Sequence, residues 1–133
     1  MGARGYYLAA TAITFTLLVA IESRISGGFV RFTVGDFVVV MFLYAALMAL
    51  QLVKPVVAAW LVLAFAMMVE TSQALGVVEV FGLPDSRLTR AVLGNVFSWI
   101  DIAAYSSGLV VALVIDIAIR RMSASGDVDT WRS

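Results

Sequence analysis

The chain has 133 residues, of which 62% are hydrophobic and only 14% charged, with no formal net charge. Soluble domains are about 45–50% apolar and about 25% charged, so the composition indicates one integral membrane domain. A net charge of zero gives no indication of a basic surface for nucleic acid. The lack of His and Cys excludes disulfides, thiolate zinc sites and His-ligated haem, so we expect no cofactor and no metal.

Crossing the hydrocarbon needs roughly 20 mainly apolar residues, and four stretches approach that length. Open strand edges cannot be satisfied in lipid, so these stretches are predicted to be helices. The expected fold is an all-α membrane protein with four transmembrane helices in one domain, residues 1–122, and a polar cytoplasmic tail, residues 123–133. The spans are expected at about 6–22, 36–53, 55–75 and 99–119.

The connection before span two, "SRISGGFVRFTVG", contains glycines and is basic. Thr33 stands three residues before Asp36, which is the spacing of a capping box that opens a helix. Pro55 suits the first turn of a helix and therefore begins span three. Spans two and three are expected to form a tight antiparallel hairpin.

Glu70 lies about one turn inside the end of span three, and Gln73 shares its face. A carboxylate in the membrane is costly unless it is paired or reaches water. Two interpretations stay open, a salt bridge to a loop arginine and a functional pocket. The long connection that follows contains "DSRLTRAVLGNVF", which is predicted to be a short interfacial helix before the fourth span.

Span four begins with a second capping-box pattern, Ser98 followed by Asp101. Asp101 and Tyr105 continue into a stripe with Gly108 and Ala112, a small-residue spacing that allows close helix packing. Capping and ligand binding are both compatible with Asp101, since each needs a carboxylate at a helix start. Near the other end, Asp116 and Arg120 are spaced as an interfacial ion pair.

Four spans place both termini on one side of the membrane. That side has five cations and the other has four, so the positive-inside rule predicts cytoplasmic termini. The opposite side then receives one carboxylate from each span, together with loop arginines. We expect a shallow extracytoplasmic pocket for a ligand, lined by Arg31, Asp36, Glu70, Gln73, Arg87, Arg90, Asp101 and Tyr105.

Three stretches, "GGFVRFTVGDFVVVMFLY", "VETSQALG" and "LGNVFSWIDIAAYSSG", together resemble a bacterial family of small membrane proteins, the domain of unknown function 2809. Its pattern has an Arg before Gly-Asp, then Glu-x-x-Gln, then Phe-Ser-Trp-x-Asp with a following Tyr and Gly. The matching positions are Arg31, Gly35, Asp36, Glu70, Gln73, Phe97, Ser98, Trp99, Asp101, Tyr105 and Gly108.

The chain is also similar, more faintly, to the VanZ-like family. The pattern of that family is Glu-x-x-Gln, then an Arg, then Asp-x-x-x-Asn-x-x-Gly, and this chain has Tyr105 where the family has Asn. Both resemblances favour a pocket around Glu70 and Asp101, and neither supplies an activity. The first hypothesis is a protein of the bacterial inner membrane that binds an envelope lipid or amphiphile. The alternatives are a small accessory subunit of a larger membrane complex and an enzyme acting on an envelope intermediate, for which no nucleophile motif is present. Expected partners are therefore membrane lipids or other membrane-protein subunits.

Overall fold

The structure, a computed structural model, describes residues 2–82 and 98–129, with side chains except at positions 77, 78 and 126–129. The described part contains four long helices and one short one. They are α1 Ala3–Arg24, α2 Gly28–Ala49, α3 Pro55–Ala74, α4 Val77–Val80 and α5 Trp99–Asp129. All four long helices are apolar and long enough to cross a membrane. The chain is therefore a multi-pass membrane protein whose described residues form only helices and their connections, as its composition predicted.

Helix α2 begins at Gly28 rather than at Asp36, and it ends at Ala49 rather than at Val53. The segment interpreted as a loop is helical because glycine is well tolerated in transmembrane helices, where flanking apolar residues dominate. Only residues 25–27 connect α1 to α2. The turn into α3 contains Gln51 with a φ of 58°, and α3 begins at Pro55 as expected.

The interfacial helix predicted over residues 85–97 lies outside the described residues. The described segment that follows α3 forms only the four-residue helix α4. At the other end of the chain, α5 continues to Asp129, past Ser123, where the polar tail was expected to begin. Residues there still make helical side-chain contacts, and the hydroxyl of Ser125 donates to the carbonyl of Arg121 at 3.0 Å.

Helix α2 is the central element, because it packs against α1, α3 and α5, while α3 also contacts α5. The closest approach is between α2 and α5 at Gly108. A Cβ atom at this position would lie 2.5 Å from the carbonyl oxygen of Phe37 and 2.6 Å from Cγ2 of Val40. Ala112, one turn later, is also buried. The close packing predicted from the small-residue spacing is therefore confirmed, and it fixes how the polar side chains of α2 and α5 face each other.

Candidate functional site

Glu70 is the most deeply buried acid of the described chain, with a relative exposure of 0%. Its Oε1 atom accepts a hydrogen bond of 2.7 Å from the backbone N–H of Ser98. Its Oε2 atom is buried and has no hydrogen-bond partner within residues 2–82 and 98–129. A buried polar atom without a partner costs about 1–3 kcal/mol. A group that donates to Oε2 would therefore stabilise this part of the protein.

The contact between Glu70 and Ser98 changes the interpretation of Asp101. Helix α5 begins at Trp99, so Ser98 occupies the N-cap position that the sequence predicted. In a capping box the acid at the third helical position accepts the N-cap N–H. Here Glu70, which belongs to α3, accepts that N–H instead. The carboxyl group of Asp101 faces α2, although it keeps its favourable place at the helix N-terminus.

Asp36 does not open a helix. It lies in the third turn of α2, so the capping box predicted from Thr33 and Asp36 is wrong. The error follows from the misplaced start of α2, since a cap needs unsatisfied backbone N–H groups and an interior turn has none. The Asp36 carboxyl group instead lies within hydrogen-bonding reach of the Tyr105 hydroxyl and of the Asp101 carboxyl group.

These contacts define what we call the carboxyl cluster, which consists of Asp36, Glu70, Asp101 and Tyr105. Glu70 lies close enough to the other three for its charge to act on them. Three helices supply these side chains, and they meet at the end of the bundle where α3 ends and α5 begins. Like charges at such short range repel, so the arrangement favours a positive group or a proton between them.

Arg31 is not part of the carboxyl cluster among the described contacts. It lies in the first turns of α2, and its Nη1 atom is 3.7 Å from Oε1 of Glu22 at the end of α1. Its guanidinium group also stacks over the ring of Phe32 at 4.9 Å. The prediction that Arg31 lines the same pocket as Glu70 therefore has no supporting contact in the structure and stays a prediction.

The remaining predicted site residues have different outcomes. Gln73, one turn beyond Glu70 on α3, is half-buried, and no described contact joins its side chain to the carboxyl cluster. Arg87 and Arg90 lie outside the described residues. Within residues 2–82 and 98–129, no three acid side chains approach each other in a way that could hold a metal ion. The carboxyl oxygens of the cluster are available as hydrogen-bond acceptors.

A second polar group, which we call the Asp116 network, lies at the opposite end of the bundle. Oδ1 of Asp116 accepts from the Tyr7 hydroxyl at 2.7 Å and from Nε of Arg120 at 3.0 Å. Oδ2 accepts from the Tyr44 hydroxyl, and Arg120 also donates to Tyr7. Asp116 is only 2% exposed. Both carboxylate oxygens are thus paired, and the network joins α1, α2 and α5.

The sequence predicted only the Asp116–Arg120 pair of this network, and that pair is confirmed. The two tyrosines are remote from Asp116 along the chain, so no helical spacing could have connected them to it. The only available signal was general: a carboxylate within a transmembrane helix requires partners from other helices. Its hydrogen bonds connect side chains of α1, α2 and α5, and they leave neither carboxylate oxygen of Asp116 unpaired.

No curated protein and no solved structure matches the chain. One family model does match, over residues 25–109, and its description is a protein of unknown function (DUF2809). The matched range includes the whole carboxyl cluster and the close contact at Gly108, whereas Tyr7, Asp116 and Arg120 fall outside it. The match covers more than half of the chain and agrees with the resemblance carried by the three quoted stretches. The chain therefore belongs to the DUF2809 family.

Proposed function

We propose that this protein binds a lipid or another amphiphile of the bacterial cell envelope through the carboxyl cluster. One observation carries the proposal: Glu70 is fully buried in a membrane helix, yet its Oε2 atom has no hydrogen-bond partner in the described part of the chain. A membrane protein keeps such a costly carboxyl group where it serves a function. Asp36 and Asp101 beside it are only half-buried, which leaves an approach to the cluster from the surface of the bundle.

The proposed location is the bacterial cytoplasmic membrane, with both termini in the cytoplasm and the carboxyl cluster near the extracytoplasmic surface. The support is the positive-inside rule, because the predicted topology places five cations on the side of the two termini and four on the other side. The terminal side has Arg4, Lys54, Arg120, Arg121 and Arg132, and the other side has Arg24, Arg31, Arg87 and Arg90. An amphiphile that enters from the outer leaflet could then place its polar group at the cluster.

A second candidate function is that of an accessory subunit in a larger membrane complex. The observation that favours it is the exposed apolar face of α1, which packs along α2 but leaves Leu8, Ile13, Phe15, Leu17 and Val19 exposed. Its remaining apolar surface contacts either lipid or another protein. An enzyme remains the weakest candidate, because the sequence offers neither a nucleophile motif nor a histidine base.

The test is an analysis of the lipids that the protein retains after extraction in a mild detergent. Wild type would be compared with Glu70→Gln, which keeps an acceptor for the Ser98 N–H but removes the carboxylate charge. Glu79→Gln is the matched control, because Glu79 is an exposed acid on α4 near the same end of the bundle. We expect wild type and the control to retain one lipid class above its abundance in the membrane, and Glu70→Gln to lose it.

Circular dichroism of each variant would confirm that the helices are intact. Identical lipid profiles for wild type, Glu70→Gln and the Glu79→Gln control would contradict amphiphile binding at the carboxyl cluster. Extraction of the chain together with a stoichiometric protein partner, without an enriched lipid, would instead support the accessory-subunit function.

A further inference from the structure

We propose that the group bound by the carboxyl cluster is a primary ammonium group, such as the head group of an amine-bearing lipid. This inference rests on the proposed function, since it specifies which part of the amphiphile the cluster recognises. Two independent features of the structure support it. The first is the charge of the cluster, and the second is the unpaired Oε2 atom of the buried Glu70.

The charge argument concerns the groups that face one another. Asp36, Glu70 and Asp101 are close enough for their charges to interact. Within the described part of the chain, no arginine or lysine forms an ion pair with any of them. Arg31 is the described cation nearest to Asp36 along α2, and it pairs with Glu22. A cationic ligand would compensate the cluster, whereas a phosphate or carboxylate would be repelled by it.

Hydrogen bonding distinguishes an ammonium group from other cations. A primary ammonium has three N–H donors and no acceptor, and it can therefore serve acceptors on three side chains. The cluster offers such acceptors on Asp36, Asp101 and the free Oε2 of Glu70. The Tyr105 hydroxyl lies within hydrogen-bonding reach of Asp36 and can orient that carboxyl group. A quaternary ammonium lacks these donors and would leave Oε2 of Glu70 unpaired.

A bare metal ion needs its oxygen ligands closer together than an ammonium group does. Calcium needs oxygen ligands at about 2.3–2.6 Å and magnesium at about 2.0–2.1 Å, so the carboxylates must converge closely. A charged N–H donor lies about 2.7–2.9 Å from its acceptor and tolerates a wider arrangement. The described acids do not converge into a group that could hold a metal ion.

The experiment uses the full chain in phosphatidylcholine nanodiscs, with thermal unfolding as the readout, because a ligand that binds the folded state raises Tm. Dodecylamine, dodecyltrimethylammonium and dodecyl phosphate would be added at equal mole fractions, and ethylamine would be tested as the same head group without a long chain. We expect dodecylamine alone to raise Tm. In Glu70→Gln its apparent Kd should increase about tenfold or more, because a hydrogen bond to a charged group is lost.

Asp101→Asn provides a second variant in case Glu70→Gln does not fold, and it should weaken dodecylamine binding in the same way. The Glu79→Gln control should bind dodecylamine like wild type. Stabilisation by dodecyl phosphate but not by dodecylamine would overturn the ammonium assignment and leave amphiphile binding intact. Equal stabilisation by dodecyltrimethylammonium would overturn the requirement for N–H donors. Binding of ethylamine as tight as that of dodecylamine would keep the ammonium assignment and overturn the amphiphile.

Discussion

Replacement of Gly108 by alanine tests the contact that holds α2 against α5. The added Cβ would lie 2.5 Å from the carbonyl oxygen of Phe37 and 2.6 Å from Cγ2 of Val40. Non-bonded carbon atoms prefer separations of about 3.5–4.0 Å, so α2 would have to move away by roughly 1 Å. Rotation of the Val40 side chain cannot relieve the contact, since the atom nearest to the new methyl group belongs to the backbone.

Two opposing effects set the magnitude. Overpacking of a well-packed contact typically costs about 1–3 kcal/mol. Alanine is favoured over glycine inside a helix by about 0.8–1.0 kcal/mol. We therefore expect Gly108→Ala to lower the free energy of unfolding by up to about 2 kcal/mol, the overpacking cost less the gain in helix propensity.

Gly35→Ala is the matched control for this prediction. Gly35 lies inside a helix as well, in α2, and a Cβ there would have no described neighbour within 4 Å. This variant should show only the gain in helix propensity. Unfolding of both variants by a stepwise increase of sodium dodecyl sulfate in mixed micelles, followed by circular dichroism, would give the two free energies. If Gly108→Ala proved as stable as Gly35→Ala, the close approach of α2 and α5 could not be what holds these helices together.

Two further predictions concern orientation and the Asp116 network. Because the chain has no native Cys, Ser26→Cys and Ser125→Cys can each be labelled selectively. A membrane-impermeant maleimide applied to intact cells should modify position 26 and not position 125. The reverse labelling pattern would contradict the proposed orientation. Tyr7→Phe removes the hydroxyl that donates to Asp116 and should lower the free energy of unfolding by about 0.6–1.7 kcal/mol, the range for hydrogen bonds between membrane helices. Tyr6→Phe is its control, since Tyr6 packs against the core without a described hydrogen bond, and equal losses in both variants would contradict a role for the Asp116 contact.

The helices that the sequence predicted best are those with strong local signals at their ends. Pro55 begins α3, and Ser98 precedes the first residue of α5, because proline and a small hydroxyl residue have clear preferences at helix starts. The start of α2 was predicted too late. Gly28 and Gly35 indicate a loop in water, but in a membrane helix they are ordinary residues. The composition of a segment therefore predicts its structure only after its solvent is known.

The sequence predicts a site of eight side chains, and four of them, Asp36, Glu70, Asp101 and Tyr105, lie together in the carboxyl cluster. No described contact joins Arg31 or Gln73 to that cluster, and the contacts within it could not be predicted from the sequence. That Glu70 takes the N–H of Ser98 could not be read from the sequence, because it depends on how α3 meets the start of α5. The tyrosine partners of Asp116 were missed for the same reason. Periodicity reports neighbours within one helix, whereas both polar groups are assembled between helices.

The tight contact at Gly108 also has a consequence for access. Tyr105 and Asp116 lie on the same helix about 16 Å apart at 1.5 Å per residue. Between them the interface of α2 and α5 is closed by Val40, Gly108, Leu109 and Ala112, all buried. A ligand of the carboxyl cluster therefore cannot be exchanged across the bilayer through this interface without separating the two helices. Occupancy of the cluster would follow the lipid composition of a single leaflet, so asymmetric and scrambled membranes of identical total composition should load the protein differently.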